Sequence, residues 1–277
     1  MSAFNFSIMN KDDLPSIAKE IRRDIITMVT RVKGCHIGSA LSCVDILTAL
    51  YFSVMNIDPN DATNQKRDRL IFSKGHAVSA LLVTLAKKGF FPEERLKDYL
   101  VNGTPYIGHV NSYGIAGIEF STGSLGHGLS VGLGMALAAK MNNEKNLVYV
   151  VMSDGECDEG SVWEAVLAAR NFKLDNLVAI IDYNKIQSFG TVSEVMELEP
   201  FAQKWQSFGW HTLEIDGHNI TNIIDVLSLL CHHNQKPTVI IAHTVKGRGV
   251  SFMENTIDWH YLSPKIDQYA KAMEELQ

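Results

Sequence analysis

The sequence predicts an α/β protein: a doubly wound parallel sheet with helices on both faces. Two patterns carry that prediction. Short β-rich apolar runs recur at residues 69–72, 147–152, 177–182, 211–215 and 238–243, and each is followed or preceded by a stretch of helix length. Such alternation builds parallel strands covered on both sides. The chain has 277 residues, 46% of them hydrophobic, enough to bury a sizeable core. With no low-complexity linker or internal repeat to divide it, one domain over 1–277 is expected.

Residues 14–32 and 43–54 read as helices outside the sheet, the second opened by Ser42 as N-cap. Between the first two strands lies a Gly-rich passage, 102–128, that ends in the helical segment GLSVGLGMALAAK, whose small residues allow close packing. The tail from Ser263, SPKIDQYAKAMEELQ, reads as a last amphipathic helix. Open parallel sheets bind ligands beyond the carboxyl ends of their strands, so the loops after strands are where function is sought.

Composition narrows the function. Lys and Arg total 25 against 31 Asp and Glu, and the net charge of -6 offers no footprint for nucleic acid or an anionic membrane. Any phosphate site must then be local. The N-terminal MSAFNFSIMNKDDLPS lacks a basic flank followed by an apolar core, and no segment is apolar for long enough to span a bilayer, so a cytoplasmic protein is expected. Cys35, Cys43, Cys157 and Cys231 show no CxxC spacing and read as structural thiols. His232 and His233 read as solvent-facing helix residues.

The most informative segment is VYVVMSDGECDEGSVWEAVLAARNFKLDNLVAIIDYNKIQ. Asp154 follows a strand directly and offers a hard oxygen ligand to Mg²⁺ or Ca²⁺, while Gly155 lets a diphosphate approach the backbone. Asn184 ends the next strand, thirty residues on, where adjacent parallel strands would bring its amide oxygen beside Asp154. An isolated Asp-Gly is usually an ordinary turn. Here it follows one hydrophobic strand, and a helix then leads to a second strand ending in Asp-Tyr-Asn.

That spaced pattern resembles the thiamine diphosphate signature, and the whole chain resembles the N-terminal part of transketolases. KGCHIGSALSCVDIL, FSKGHAVSALLVTLA and YIGHVN resemble the family's three histidine loops, FSTGSLGHGLSVGLGMA its cofactor loop, and TVKGRGVSF with Trp259-His260 its last motif. The resemblance implies the diphosphate-binding version of the thiamine diphosphate fold. It implies thiamine diphosphate with Mg²⁺, or Ca²⁺ or Mn²⁺, as cofactors, the metal held by Asp154, Asn184 and the main-chain carbonyl of Ile186. Cofactor contacts are implied for Ser39, Lys74, His76, Gly123, Ser124, Leu125, Gly155, Glu156, Lys246 and His260. Gly123, Ser124 and Leu125 would receive the aminopyrimidine.

Transketolase chemistry moves a two-carbon ketol unit from a ketose to an aldose, and each step moves a proton to or from an oxygen. Imidazoles titrate near neutrality and hydrogen-bond sugar hydroxyls. By resemblance His36 and His260 contact the donor, with His76 and His109 beside the cofactor and substrate oxygens. Glu159 reads either as a first-turn acid favoured by the helix dipole or as an acid at a subunit interface. His127 reads as structural. Departures from the family pattern are Ser153 and Cys35, where Gly is commoner, and Tyr261, also in a common Gly position and close enough to the donor to bear on sugar preference.

In full-length transketolases a second domain supplies the glutamate that protonates the aminopyrimidine. The resemblance therefore implies a companion chain carrying the pyrimidine-binding domain, in an α2β2 assembly acting on small sugars. Two competing readings keep the fold. One is another thiamine diphosphate enzyme subunit, of the 2-oxoacid dehydrogenase α or deoxyxylulose-phosphate synthase kind, against which the SKGHA loop and the KGRG to Trp-His spacing speak. The other is a non-catalytic regulatory relative, against which the intact ligand set speaks.

Overall fold

The computed structural model describes residues 11–230 and 235–277. Cys231, His232 and His233 lie outside the described residues. The strands are β1 (Arg69–Phe72), β2 (Val148–Ser153), β3 (Leu177–Tyr183), β4 (His211–Asp216) and β5 (Thr238–His243), within a residue of the expected bounds. They form one sheet in the order β1-β2-β3-β5-β4, every pair parallel.

The helices are α1 (Leu14–Val32), α2 (Ile37–Ser42), α3 (Val44–Ala49), α4 (Val78–Lys88), α5 (Gly128–Met141), α6 (Gly160–Asn171), α7 (Val192–Val195), α8 (Phe201–Ser207), α9 (Ile220–Ser228) and α10 (Ile266–Glu275). Successive strand residues point to opposite faces. Tyr149, Val151, Val178, Ile180 and Ile240 thus join one core with α1 to α4 and α9, while Val148, Val150, Met152, Ala179 and Ile241 join a second with α5, α6 and α8. Each fully buried Val or Ile contributes about 1.5–3 kcal/mol relative to exposure. The small residues of α5 are used as expected: a Cβ on Gly132 would stand 2.4 Å from a Val150 methyl, so only glycine lets this helix lie so close to β2.

One expected helix is different. Residues 43–54 are not continuous with Ser42 as cap: Ser42 ends α2, Cys43 breaks the helix, and after α3 the chain closes in a π-turn over Leu50–Val54. The Ser42 hydroxyl is instead spent in the core, donating to Asp182 Oδ2 at 2.6 Å. The last helix starts at Ile266 and is anchored on α1 by Arg23, whose Nη1 donates to the carbonyls of Met273 and Leu276 at 3.2 and 3.0 Å. Cys43 and Cys157 are buried and Cys35 is exposed. Among the described residues, no helix is long and apolar enough to cross a membrane.

Candidate functional site

The carboxyl ends of β2 and β3 open onto a cavity of about 220 Å³, walled further by the loops before α2, after β1, before α5 and after β5. Its lining contains His36, Ser39, His76, Gly123, Leu125, Asp154, Gly155, Asn184, Ile186 and His260, from six segments spread over the chain. Close packing of the loops demands glycine in places. A Cβ on Gly75 would sit 2.5 Å from the carbonyl oxygen of Thr122, so the SKGH turn can rest on the 122–125 loop only without a side chain there.

The register of β2 on β3 pairs Ser153 with Asp182, which sets the loops carrying Asp154 and Asn184 side by side. Lys185 adopts φ 67°, a conformation uncommon outside glycine, and so turns its N–H onto Asp154 Oδ2 at 2.6 Å. Gly155 N–H donates to the other oxygen at 2.8 Å. Burial, with the nearby Asp182 carboxylate, pushes the Asp154 carboxyl up to about 6. Among the described residues no cation pairs with Asp154 directly, the nearby Lys74 being paired with Asp182, so a divalent ion would relieve a buried negative charge.

Two lysines lie behind the cavity wall. Lys74 is fully buried, ion-paired with Asp182, and donates to the Ser39 carbonyl at 3.0 Å. Lys246 donates to the carbonyls of Ile186 at 2.9 Å and Gln187 at 3.2 Å, and stands 2.9 Å from His260 Nδ1. Burial brings its ammonium down to about 8. A protonated lysine has only donors, so Nδ1 accepts, and His260 carries its proton on Nε2.

The four expected histidines come together. The His36 ring centroid lies 5.3 Å from that of His76, 6.0 Å from His109 and 4.8 Å from His260. His36 is held at φ 64° and its N–H donates to the His260 carbonyl at 2.8 Å, fastening two distant loops together. Burial and then His109 bring the His36 imidazole down to about 4; burial and then Lys246 bring His260 down to about 3. Burial likewise holds His76 well below its usual range. These three rings are neutral at pH 7, able to accept or donate one hydrogen bond at each nitrogen, and His36 Nδ1 is buried with no partner among the described residues.

The remaining expected residues stand apart from the cavity lining. Ser124 is exposed on the 122–125 loop, and Glu159 is exposed at the start of α6. His127 is exposed at the start of α5. Glu156 is wholly buried; its carboxylate accepts from the Ser73 hydroxyl, from Gly126 N–H at 2.9 Å and from Ser153 N–H at 3.3 Å, tying three site loops together. Sequence reasoning missed Gln187 and Ser188, which line the cavity, and the buried Asp182. Asp182 had a signal, as the first residue of Asp-Tyr-Asn. Tyr261 places its half-exposed ring 4.9 Å from His260 and 6.1 Å from His36, at the rim.

Fold and site together define an α/β domain with a cavity beyond the carboxyl strand ends, lined by oxygen donors on one side and neutral imidazoles on the other. Residues 15–276 match the family described as transketolase, thiamine diphosphate binding domain. The chain belongs to the transketolase family. It is 45% identical over 268 residues to an apulose-4-phosphate transketolase subunit of Phocaeicola vulgatus, covering 97% of this chain and 95% of that one. It is 40% identical over 265 residues to a 6-deoxy-6-sulfo-D-fructose transketolase subunit of a Clostridium species, covering 96% of each. Transketolase from Campylobacter jejuni superposes with a TM-score of 0.90 at 29% identity, over 97% of this chain. This chain spans 43% of the length of that structure. The chain is thus a transketolase-type subunit, and the oxoacid dehydrogenase reading is not favoured.

Proposed function

We propose that this chain is the diphosphate-binding subunit of a two-chain transketolase. It would move a two-carbon ketol unit from a ketose or ketose phosphate to an aldose, with thiamine diphosphate and Mg²⁺, in the cytoplasm. The observation that carries the reading is that a buried Asp154, paired with no cation among the described residues, shares one cavity with neutral histidines. The donor set fits the metal: one carboxylate, the amide oxygen of Asn184 and the Ile186 carbonyl are all hard oxygens. Among the described residues no three His, Cys, Asp or Glu side chains gather as ligands, so diphosphate and water oxygens would complete the coordination.

Bound thiamine diphosphate supplies the electron sink that lets the bond beside a ketose carbonyl break and re-form. The chain's own residues would do the rest. Asp154, Asn184 and Ile186 would hold the cation, and Gly155 would admit the diphosphate to the backbone. Leu125 and Gly123 form the wall for the aminopyrimidine. His260 would donate its Nε2 proton to a donor oxygen, His36 would offer Nδ1, and His76 and His109 would serve the oxygens nearer the cofactor. The described residues would work as one domain.

A companion chain carrying the pyrimidine-binding domain would close the cavity, in an α2β2 assembly. Three of the relatives are themselves named as transketolase subunits, which supports it. So do the exposed side chains of Phe189 and Tyr261, each next in sequence to a cavity residue. Relatives are named for apulose 4-phosphate and 6-deoxy-6-sulfo-D-fructose, sugars bearing an anionic group, which supports a modified ketose as donor. The test is donor turnover by the chain mixed with its companion, with CO₂ followed in parallel. Ketose consumption without CO₂ is expected; CO₂ from pyruvate would move the chain to the oxoacid class.

A further inference from the structure

The carboxylate of Asp182 is buried to zero exposure, one strand position before Tyr183 and two before Asn184. Its Oδ2 accepts from the Ser42 hydroxyl at 2.6 Å, from the Lys74 ammonium, and from the Asn184 side-chain amide at 3.4 Å; its Oδ1 accepts from the Thr244 hydroxyl. Both oxygens are thus committed to protein donors, and the charge is balanced by Lys74. Asp182 is not a free ligand for a cation.

We propose that Asp182 is the positioning residue for Asn184, locking its amide so that nitrogen faces the protein and oxygen faces the cation. This rests on the metal-and-diphosphate reading above. Two contacts impose the same orientation. Asn184 Nδ2 faces the Asp182 carboxylate, and Asn184 Oδ1 accepts from Ile186 N–H at 3.2 Å. Flipping the amide would set oxygen against a carboxylate, which has no proton to give, and the amide nitrogen against a backbone N–H. Both contacts would turn repulsive in a buried site. An amide oxygen held in one direction is what a hard cation needs from a neutral ligand.

The same carboxylate fixes the surrounding loops. Ser42 ends α2, which carries Ser39 and starts just after His36, while Lys74 precedes His76 and Thr244 precedes Lys246. Asp182 therefore sets Asn184 at the meeting point of the segments that carry the histidines. Its effect on the reaction passes through Asn184 and these loops.

The test is a titration of the full chain with thiamine diphosphate at fixed Mg²⁺, followed by circular dichroism or calorimetry, beside thermal unfolding without either ligand. Asp182→Asn strands the buried Lys74 and lowers both affinity and unfolding temperature. The double change Asp182→Asn with Lys74→Met removes both charges; it is expected to recover much of the unfolding temperature while Mg²⁺-dependent affinity stays down by about 10- to 100-fold. Thr244→Val removes one donor with little change of shape, keeps the fold, and is expected to lower that affinity several-fold. Wild-type affinity and metal dependence in Thr244→Val and the double variant overturn the positioning role and leave the cofactor reading intact. A wild-type chain that binds no thiamine diphosphate with Mg²⁺, alone or with its companion, overturns the cofactor reading itself.

Discussion

The ammonium of Lys246 stands 2.9 Å from the carbonyl oxygen of Ile186 and 2.9 Å from Nδ1 of His260. One side chain from the loop after β5 thus aims a main-chain oxygen at the end of β3 and fixes the tautomer of an imidazole fourteen residues further on. Two roles in the proposed function, an oriented oxygen and a neutral ring with its proton on Nε2, meet in one ammonium.

Lys246→Met removes both. The His260 imidazole, held at about 3 by burial and then by Lys246, is expected to titrate closer to its ordinary range. NMR of the labelled imidazole across pH 3–7 measures this. Turnover with the companion is expected to fall by about 10²-fold, the scale of a misdirected general acid.

Asp154→Ala removes the charged oxygen of the proposed cation site. Mg²⁺-dependent binding of thiamine diphosphate is expected to weaken by about 100-fold or more, because the diphosphate charge is left poorly neutralised. His260→Ala serves as the contrast: it should leave cofactor affinity within a few-fold and damage turnover. A pair of binding isotherms separates the two, and equal affinities for wild type and Asp154→Ala would remove the metal assignment.

The strands, and the placing of Asp154 beside Asn184, were legible because their signals are local. Alternating strands buried on both faces, and Asp-Gly thirty residues before Asn, sit within stretches short enough to read in order. The place of Asp182 in Asp-Tyr-Asn was legible, but its role was not. Its partners Ser42, Lys74 and Thr244 lie 140, 108 and 62 residues away, and nothing local marks them as a set. Ser42 failed for the same reason: a serine before a helical run suggests a cap, whereas its hydroxyl answers to a distant carboxylate. Glu156 showed only an acid in a cofactor loop, and its burial beneath Ser73 and Gly126 belongs to the tertiary fold.

Acid stability follows from the lowered histidines. Unfolded imidazoles bind protons below about pH 6.5, while folded His36 and His260 resist until about 4 and about 3. In that window the unfolded chain holds more protons, so the contribution is fully present above pH 6.5 and is lost as pH falls toward 4. Asp154, raised from 3.8 to about 6, works in the opposite sense between those values. The readout is therefore the difference between wild type and a His36→Asn, His260→Asn variant. Its unfolding temperature should fall less than the wild type's between pH 6.5 and 4; parallel curves would place these rings in an ordinary, solvated setting.

If this chain holds one half of a transketolase site, turnover needs the other half. Ketol transfer from hydroxypyruvate to ribose 5-phosphate, in which the donor's carboxylate leaves as CO₂, is followed with Mg²⁺ and thiamine diphosphate for the chain alone and then titrated with its companion. No turnover is expected from the chain alone, and activity is expected to rise with the companion to saturation. Full activity of the isolated chain would contradict the half-site, as would a companion that forms a stable complex but yields no transfer with any ketose donor.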